Sequence, residues 1–281
     1  MITCDVMKLS IAIVSYHSDL PVLRRAMASI VEAIAGAHHQ WPTLQVDFYF
    51  IDNDPAATAS QALASELALL KKQGLHQVEV IHRGKNLGYG AGHNACLKKL
   101  DSDYHLILNP DVILADDFLW QGLSFLEKEM DVLLVAPYVE NEKGEPAYLC
   151  KRYPTVLDLW LRGFVPSFIW RYFQARLDNY QMKDVYDAKQ VNKHIPIISG
   201  CCMLIRTNAF RELNGFDERF FLYFEDFDLS LRIAQKGRVA YNPTMRIQHL
   251  GGFSAKKGLW HIQQFARSGR QFFAKHGWKW R

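Results

Sequence analysis

Polar side chains follow short apolar runs at three points in the first half of the chain: Ser15-Tyr16-His17, Asp52-Asn53-Asp54 and Asn109-Pro110-Asp111. Carboxylates and amides gathered on one rim could hold a phosphate-bearing ligand through a divalent cation, because hard oxygen donors suit Mg2+ or Mn2+. Taken singly, Asp52, Asn53 and Asp111 read equally well as turn formers and helix caps. The stretch 84–94, GKNLGYGAGHN, adds glycines that let backbone approach a ligand, and it opens a helix whose positive end favours an anion. Its spacing fits neither common phosphate loop: His93 stands where a dinucleotide fingerprint needs glycine, and GxxxxGK[ST] is absent. Close helix–sheet packing is the alternative reading. The segment 220–232, FFLYFEDFDLSLR, places three carboxylates inside an aromatic run at a helix start. Burial there raises a carboxylate pKa and the helix dipole opposes the rise, which suits Glu225 or Asp226 to act as a base. Asp228 reads instead as a partner of Arg232 four residues on. His249, ahead of Gly251-Gly252, gains a ligand role only in the company of these groups, whereas His17, His38, His39, His76, His82 and His276 read as structural.

Runs at 9–14, 46–51, 78–81, 104–108 and 132–136 have the length and residue types of strands. Between them, 21–35, 59–70, 91–100 and 117–129 repeat apolar residues at spacings of three and four and predict helices. Such alternation predicts an α/β fold with a mostly parallel central sheet flanked by helices, and a parallel sheet binds ligands at the carboxyl ends of its strands. The three polar clusters would then share one rim. Beyond Pro137 the rhythm changes: a turn cluster at 141–146, an aromatic stretch at 156–173, an apolar block from 195 to 206, and a short strand at 238–241. A final helix at 259–276 sets Leu259, Ile262, Phe265, Ala266, Phe272 and Phe273 on one face.

With 281 residues, 49% of them hydrophobic, the chain can bury a large core, which excludes disordered and fibrous classes. The net charge of +4 conceals an asymmetry, since residues 229–281 carry eleven Lys or Arg and no acid, a cationic surface that should face something anionic. Five cysteines without a CxxC pair suggest a reducing compartment, and neither a signal peptide nor a spanning segment is expected.

Read in order, Ile13-Val14-Ser15-Tyr16, Ile51-Asp52-Asn53, the 86–94 loop, Leu108-Asn109-Pro110-Asp111, Ser199-Gly200-Cys201-Cys202-Met203, Phe224-Glu225-Asp226-Phe227-Asp228 and His249-Leu250-Gly251-Gly252 resemble glycosyltransferase family 2. The likeness runs from about Leu9 to about Ser254 and is nearest to the bacterial rhamnosyltransferase-like branch. It implies a GT-A fold with a C-terminal, acceptor-side helical extension. The implied division is a transferase domain at 1–254, with a nucleotide-binding half of about 1–136 and an acceptor-side half of about 137–254, followed by a basic amphipathic helix and tail at 255–281.

The implied activity is inverting transfer of a sugar from a nucleotide diphosphate, with dTDP-L-rhamnose as the first expectation and UDP-galactose, UDP-glucose or GDP-mannose as alternatives. Carried onto this chain, the resemblance assigns the nucleotide-sugar to Ser15, Tyr16, Asp52, Asn53, Asn86, Gly88, Gly92, Asn94, Asn109, Gly200 and Cys201. It gives Mg2+ or Mn2+ to Asp111 and His249, the base role to Asp226, and an orienting role to Glu225. Asn109 stands where many relatives carry a second carboxylate, so the metal would be held partly through the diphosphate. The implied acceptor is a saccharide on a polyprenyl diphosphate, as in O-antigen and other surface polysaccharides. The aromatic 156–173 segment and the basic C-terminus predict a cytoplasmic protein held peripherally on the inner face of the cell membrane. A lid over the acceptor site, or a homodimer contact, is the other reading of 156–173. Competing classes are a non-catalytic nucleotide-sugar-binding scaffold, a nucleotidyltransferase, which should carry a glycine-rich loop after its first strand, and nucleic-acid binding by the tail, which no recognised module supports.

Overall fold

The computed structural model describes residues 6–187, 189–251 and 258–281. Cys4, Gly252, Ser254, Lys256, Lys257 and the expected boundary at 254/255 lie outside the described residues. The strands are β1 (Lys8–Ser15), β2 (Gln45–Asp52), β3 (Gln77–His82), β4 (Tyr104–Leu108), β5 (Val112–Leu114), β6 (Val132–Glu140), β7 (Cys150–Lys151), β8 (Ile197–Ile198), β9 (Cys202–Arg206) and β10 (Arg238–His249). Eight of them form one sheet in the order β3-β2-β1-β4-β9-β6-β10-β5, and β7 pairs with β8 separately.

The pairs β1·β2, β2·β3, β1·β4 and β6·β10 are parallel, while β9 runs antiparallel between β4 and β6, and β5 antiparallel to β10. Both faces of the sheet are covered, which is why its strands read as nearly continuous apolar runs. On one face Leu9, Ile11 and Ile13 pack with Phe48, Phe50 and the buried side of the helix Leu20–His38. On the other, Ala12 and Val14 meet Tyr49, Ile51 and the aromatic residues Phe210 and Phe216. Asp19 caps the helix Leu20–His38 by accepting from the Val22 N–H at 3.0 Å, and Pro21 suits the first turn that needs no donor.

The five strands expected up to residue 136 all appear, the one at 104–108 with the same bounds and the others extended by two to four residues. Three predicted elements differ. The helix at 59–70 breaks at fully buried Leu63 into Thr58–Ala62 and Ala64–Leu70. The helix at 91–100 instead spans Tyr89–Asn94, because Gly90 and Gly92 are weak helix formers and Asn94 turns its amide to the backbone of Phe216. The short strand at 238–241 continues to His249, with a register shift between Asn242 and Arg246 where Pro243 cannot donate to the ladder.

The helix Leu259–His276 has the predicted bounds and docks through Phe272 and Phe273 onto Phe220, Phe224 and Ile197. Each buried phenyl contributes about 2 kcal/mol. Its first turn departs from the expected apolar face, with Leu259 exposed. Nor is the basic C-terminal fifth wholly a free surface: Arg232 and Lys275 bind Asp228, Arg238 binds Asp131, and Arg246 approaches Glu140. Among the described residues no helix is long and apolar enough to cross a membrane.

Candidate active site

Parallel register brings the ends of β1 and β2 level, Ser15 opposite Asp52, with β4 beside them. Ser15 is buried, accepts the Asn53 N–H on its carbonyl and donates its hydroxyl to Ser18, while Tyr16 is exposed at the rim. Asp52 lies at this rim but is fully buried, and its two oxygens accept the N–H groups of Asp54 and Ser60. Its carboxylate therefore shapes the 54–60 loop, and a base could touch it only if that loop opened. Asn53 donates to Gly88 O at 2.9 Å and leaves its own buried Oδ1 without a partner.

Asn86 accepts the Gly88 N–H, closing the turn. Gly88 sits at φ +85°, and a Cβ there would come within 2.1 Å of Phe221 O, so the glycine ties this loop to the acidic segment. At Gly92 a Cβ would strike Val14 and Asn53, which is the close-packing reading of the sequence. Asn94 is bound on both sides by the Phe216 backbone and also reaches Glu218, which uses its hydrogen-bonding capacity away from any ligand.

At the end of β4, the Asn109 N–H donates to Cys201 O at 2.8 Å, placing the 109–111 turn against the start of β9. Because β10 pairs His249 with Val112, His249 Nε2 comes 3.2 Å from Asp111 Oδ1. Those two atoms, and Asn109 Oδ1, are buried and make no hydrogen bond. A Cβ on Gly251 would stand 2.7 Å from His249 Nε2 and 2.8 Å from Asp111 Oδ2, so only glycine leaves the space beside the pair clear. Orphaned oxygen and imidazole donors around such a gap fit a divalent cation. Among the described residues no cluster of three or more His, Cys, Asp or Glu groups gathers, so the protein offers this pair, with Asn109 beside it.

Across β9 stands the helix Glu225–Ala234, preceded by two left-handed residues that are not glycine, Tyr223 and Phe224. Such conformations cost about 1–3 kcal/mol each and persist where packing enforces them; here Phe224 is wedged among Phe227, Phe265 and Phe272. Asp226 Oδ2 accepts the Gly200 N–H at 2.7 Å, and a Cβ at Gly200 would press on Asp226 at 3.0 Å. Asp226 Oδ1 accepts the Phe227 N–H. The Tyr89 hydroxyl donates to Gly200 O at 2.5 Å and fixes that peptide from the glycine loop. Burial raises the Asp226 pKa, and the N–H groups of Gly200 and Phe227 hold the rise down.

Glu225 is buried with Oε2 unpartnered, and burial, reinforced by the neighbouring Asp226 charge, pushes its carboxyl well above the usual range. Of the pair, Glu225 is pushed up further, because Asp226 keeps the N–H groups of Gly200 and Phe227 as compensation. A folded-state pKa above the unfolded value means that the folded chain binds the extra proton, so this contribution is full below about pH 4.3 and is lost as pH rises toward the folded pKa. Glu225→Gln should therefore gain stability over the wild type progressively from pH 5 to pH 8. Thermal unfolding across that range checks it, and a constant gap would reject the assignment.

Asp226 and Glu225 line a cavity of about 780 Å3, whose walls include Lys151, Arg162, Trp170, Tyr180 and His261. Arg162 and Trp170 belong to the aromatic stretch read at 156–173, whereas Lys151, Tyr180 and His261 were not singled out in the sequence, and neither was Tyr89 as a positioning residue. Part of the 156–173 segment thus walls the cavity, as its lid reading anticipated, while Trp160, Phe168 and Tyr172 remain exposed. Burial, reinforced by the charges of Asp111 and Asp226, raises the Cys201 thiol pKa. Through these backbone bonds, Asn109 to Cys201 and Gly200 to Asp226, the Asp111–His249 turn and the Asp226 carboxylate both abut the start of β9. Asp228 faces away from it and binds Arg232 at 2.7 Å, as its spacing suggested. His38, His76, His82 and His276 each pair within the fold, in line with their structural reading.

Comparison with known proteins places these features in a family. The glycosyl transferase family 2 model matches residues 10–213. Rhamnosyltransferase WbbL of Escherichia coli (strain K12) is 29% identical over 195 residues, covering 64% of this chain and 69% of that protein. The N-acetylglucosaminyl-diphospho-decaprenol L-rhamnosyltransferase of Mycobacterium tuberculosis (strain CDC 1551 / Oshkosh) is 25% identical over 224 residues, covering 73% and 69%. Among solved structures, GalNAc-T7 with UDP, GalNAc and Mn2+ superposes with a TM-score of 0.60 at 15% identity, over 88% of this chain and 44% of its own. The mannosyltransferase PcManGT from Pyrobaculum calidifontis, with GDP-Man and Mn2+, gives 0.58 at 16%, over 95% and 63%. These two likenesses show the GT-A fold. Since the family match spans well over half of its length, the chain belongs to glycosyl transferase family 2 and is a glycosyltransferase.

Proposed function

We propose that this enzyme is an inverting transferase that moves a sugar, with L-rhamnose from dTDP-L-rhamnose as the first candidate, onto a hydroxyl of a lipid-linked bacterial surface polysaccharide such as an O-antigen. The observation that carries the mechanism is the meeting of Asp111, His249 and Asp226 around the start of β9. Asp226, ionised and held by Gly200 and Phe227, takes the proton of the acceptor hydroxyl as that oxygen attacks the anomeric carbon. One base and one displacement invert the anomeric centre. Glu225, protonated, would donate a hydrogen bond to the acceptor. Asp111 and His249, with Asn109 beside them, would hold Mg2+ or Mn2+, which when bound stabilises the charge of the departing diphosphate.

Nucleotide contacts belong to the rim: Ser15 and Tyr16, the Asn53 amide, and the backbone of the Asn86–Gly88 turn, with Asp52 and Gly92 shaping it from behind. Support for rhamnose rests on the printed names of the two relatives, and support for a lipid diphosphate acceptor on the mycobacterial one. Peripheral attachment at the inner face of the cell membrane is supported by the exposed Trp160, Phe168, Trp278 and Trp280, near which the tail stacks on Phe273. Each Lys or Arg beside an anionic leaflet adds about 1 kcal/mol. The helix Leu259–His276 is packed onto the acceptor side, and we assign it to that half of a single transferase domain.

The test is release of nucleoside diphosphate by the purified protein from dTDP-rhamnose, UDP-galactose, UDP-glucose and GDP-mannose, with and without Mn2+. Turnover of one donor, stimulated by Mn2+, is expected; nucleotide binding without turnover of any donor would favour the scaffold reading. In the same assay Gly251→Ala, which sets a methyl between His249 and Asp111, should weaken the apparent Mn2+ affinity by about 10- to 100-fold, the scale seen when the surroundings of metal ligands are altered.

A further inference from the structure

The acceptor-side cavity contains two cations that the mechanism above does not use. Lys151 ends β7, is only 6% exposed, and gives one of its three ammonium donors to Tyr148 O. Arg162 reaches the same cavity from the helix Val156–Phe164, with its guanidinium over the Tyr180 ring, 5.6 Å from its centre. Among the described residues neither side chain has an ion-pair partner, although Arg176 close by is fully committed to Asp158 and Thr155. Buried lysines are ordinarily paired, so Lys151 stands out, while Arg162 is exposed and free to reach into the cavity. Burial and, after it, the charge of Arg162 lower the Lys151 pKa to about 7, while Asp226 opposes the fall.

Two like charges, one of them on a nearly buried stem, line one hollow with the carboxyls of Glu225 and Asp226 but make no ion pair with either among the described residues, and an anion coming between them would relieve their repulsion. Arg162 is preorganised for this by Tyr180, and its planar fork matches an oxyanion in two-point contact. Beside the polar groups of Ser199, Glu225, Asp226 and His261, the wall includes an apolar set, Leu159, Trp170, Phe227 and Phe265.

We infer that Lys151 and Arg162 form a subsite for an oxyanion carried by the acceptor, a phosphate ester or a carboxylate on an otherwise apolar molecule, bound beside the hydroxyl that Asp226 deprotonates. This rests on the reading of the cavity as the acceptor site and adds the residues that select a charged acceptor over a neutral one. Lys151 then has two functions, screening Asp226 when the cavity is empty and binding the anion when it is filled. Holding the anion and the base at fixed separation positions one hydroxyl for attack.

The test measures binding of undecyl phosphate, dodecanoate and neutral undecyl glucoside, with dTDP and Mn2+ saturating so that the nucleotide site is filled. Titration can be followed by intrinsic tryptophan fluorescence, to which the cavity-lining Trp170 contributes, or by calorimetry. Wild type is expected to bind at least one of the two anionic probes tenfold or more tightly than the glucoside, and which one does so identifies the oxyanion. Arg162→Ala and Lys151→Met should each reduce that preference by about fivefold or more, with Arg162→Lys intermediate. A shift in unfolding temperature on adding dTDP confirms that each variant is folded, and exposed Arg162 provides a variant that leaves the core intact should Lys151→Met fail. Equal affinity of wild type for all three probes, or a preference untouched in Arg162→Ala, overturns the inference. An enzyme that turns over a donor yet shows no anion preference loses this subsite and keeps the proposed function. One that prefers the anion but consumes no donor does the reverse.

Discussion

Asp226→Asn should lower kcat by about 10^3-fold, within the 10^2 to 10^4 range that a positioned general base supplies, or about 4 kcal/mol of barrier. The substitution keeps one oxygen for the Gly200 N–H, so the 199–201 backbone has no reason to move. Nucleotide affinity should accordingly stay within about twofold, because Asp226 stands across β9 from the rim. A second signature comes from pH. Burial lifts the Asp226 carboxyl above its ordinary value, so wild-type kcat should fall on acidification with a midpoint above the usual aspartate range near 4, and the residual activity of the variant should lack that limb. Turnover surviving within about tenfold of wild type, with the acid limb retained, would remove the base assignment.

The second large effect is on stability. Asp228 is fully buried and receives Arg232 Nε at 2.7 Å, Lys275 Nζ at 2.5 Å and His276 Nε2 at 2.7 Å. It fastens the helix Leu259–His276 to the helix that carries the base, while Arg232 in turn binds the carbonyls of Leu213 and Gly215. Asp228→Ala removes the buried carboxylate that Arg232, Lys275 and His276 share, leaving half-buried Arg232 without its counter-charge while Lys275 keeps Asp217, a change that costs about 3 kcal/mol. For a chain of this size that corresponds to a drop of about 10 °C in unfolding midpoint. Asp228→Asn, which retains an acceptor, should lose less. Calorimetric unfolding checks both, and a loss under 1 kcal/mol in the alanine variant would show that the network is not holding the two helices together.

Much of this was readable from the chain before any coordinates. Strand ends were, because a parallel sheet covered on both faces writes its strands as apolar blocks and leaves polar residues at their carboxyl ends; Ser15, Asp52 and Asn109 fall there. The partnership of Asp228 with Arg232 was local, at i and i+4, and local pairs survive in sequence. What was hidden depends on tertiary approach. Nothing in the string Cys150-Lys151 announces a buried lysine, since a two-residue strand has no period. Gly251 is visibly a glycine, yet the reason for it, the gap between His249 and Asp111, exists only once β10 lies beside β5. The carboxylate of Asp52 looked like a ligand group and is occupied by its own loop, because an Asx turn and a binding site use the same residue type. Likewise Asn94 was drawn from a motif, but its amide closes onto Phe216.

The reversed strand β9 has a consequence for how the protein is made. It fills the slot between β4 and β6, and its residues leave the ribosome about a hundred positions after β4 does. Throughout that interval the nascent first half presents a strand that is buried along its whole length in the finished fold, with one unpaired edge, the kind of surface that recruits neighbouring chains. Folding therefore cannot be completed half by half during synthesis, and chaperone demand should be concentrated in the window before residues 202–206 arrive.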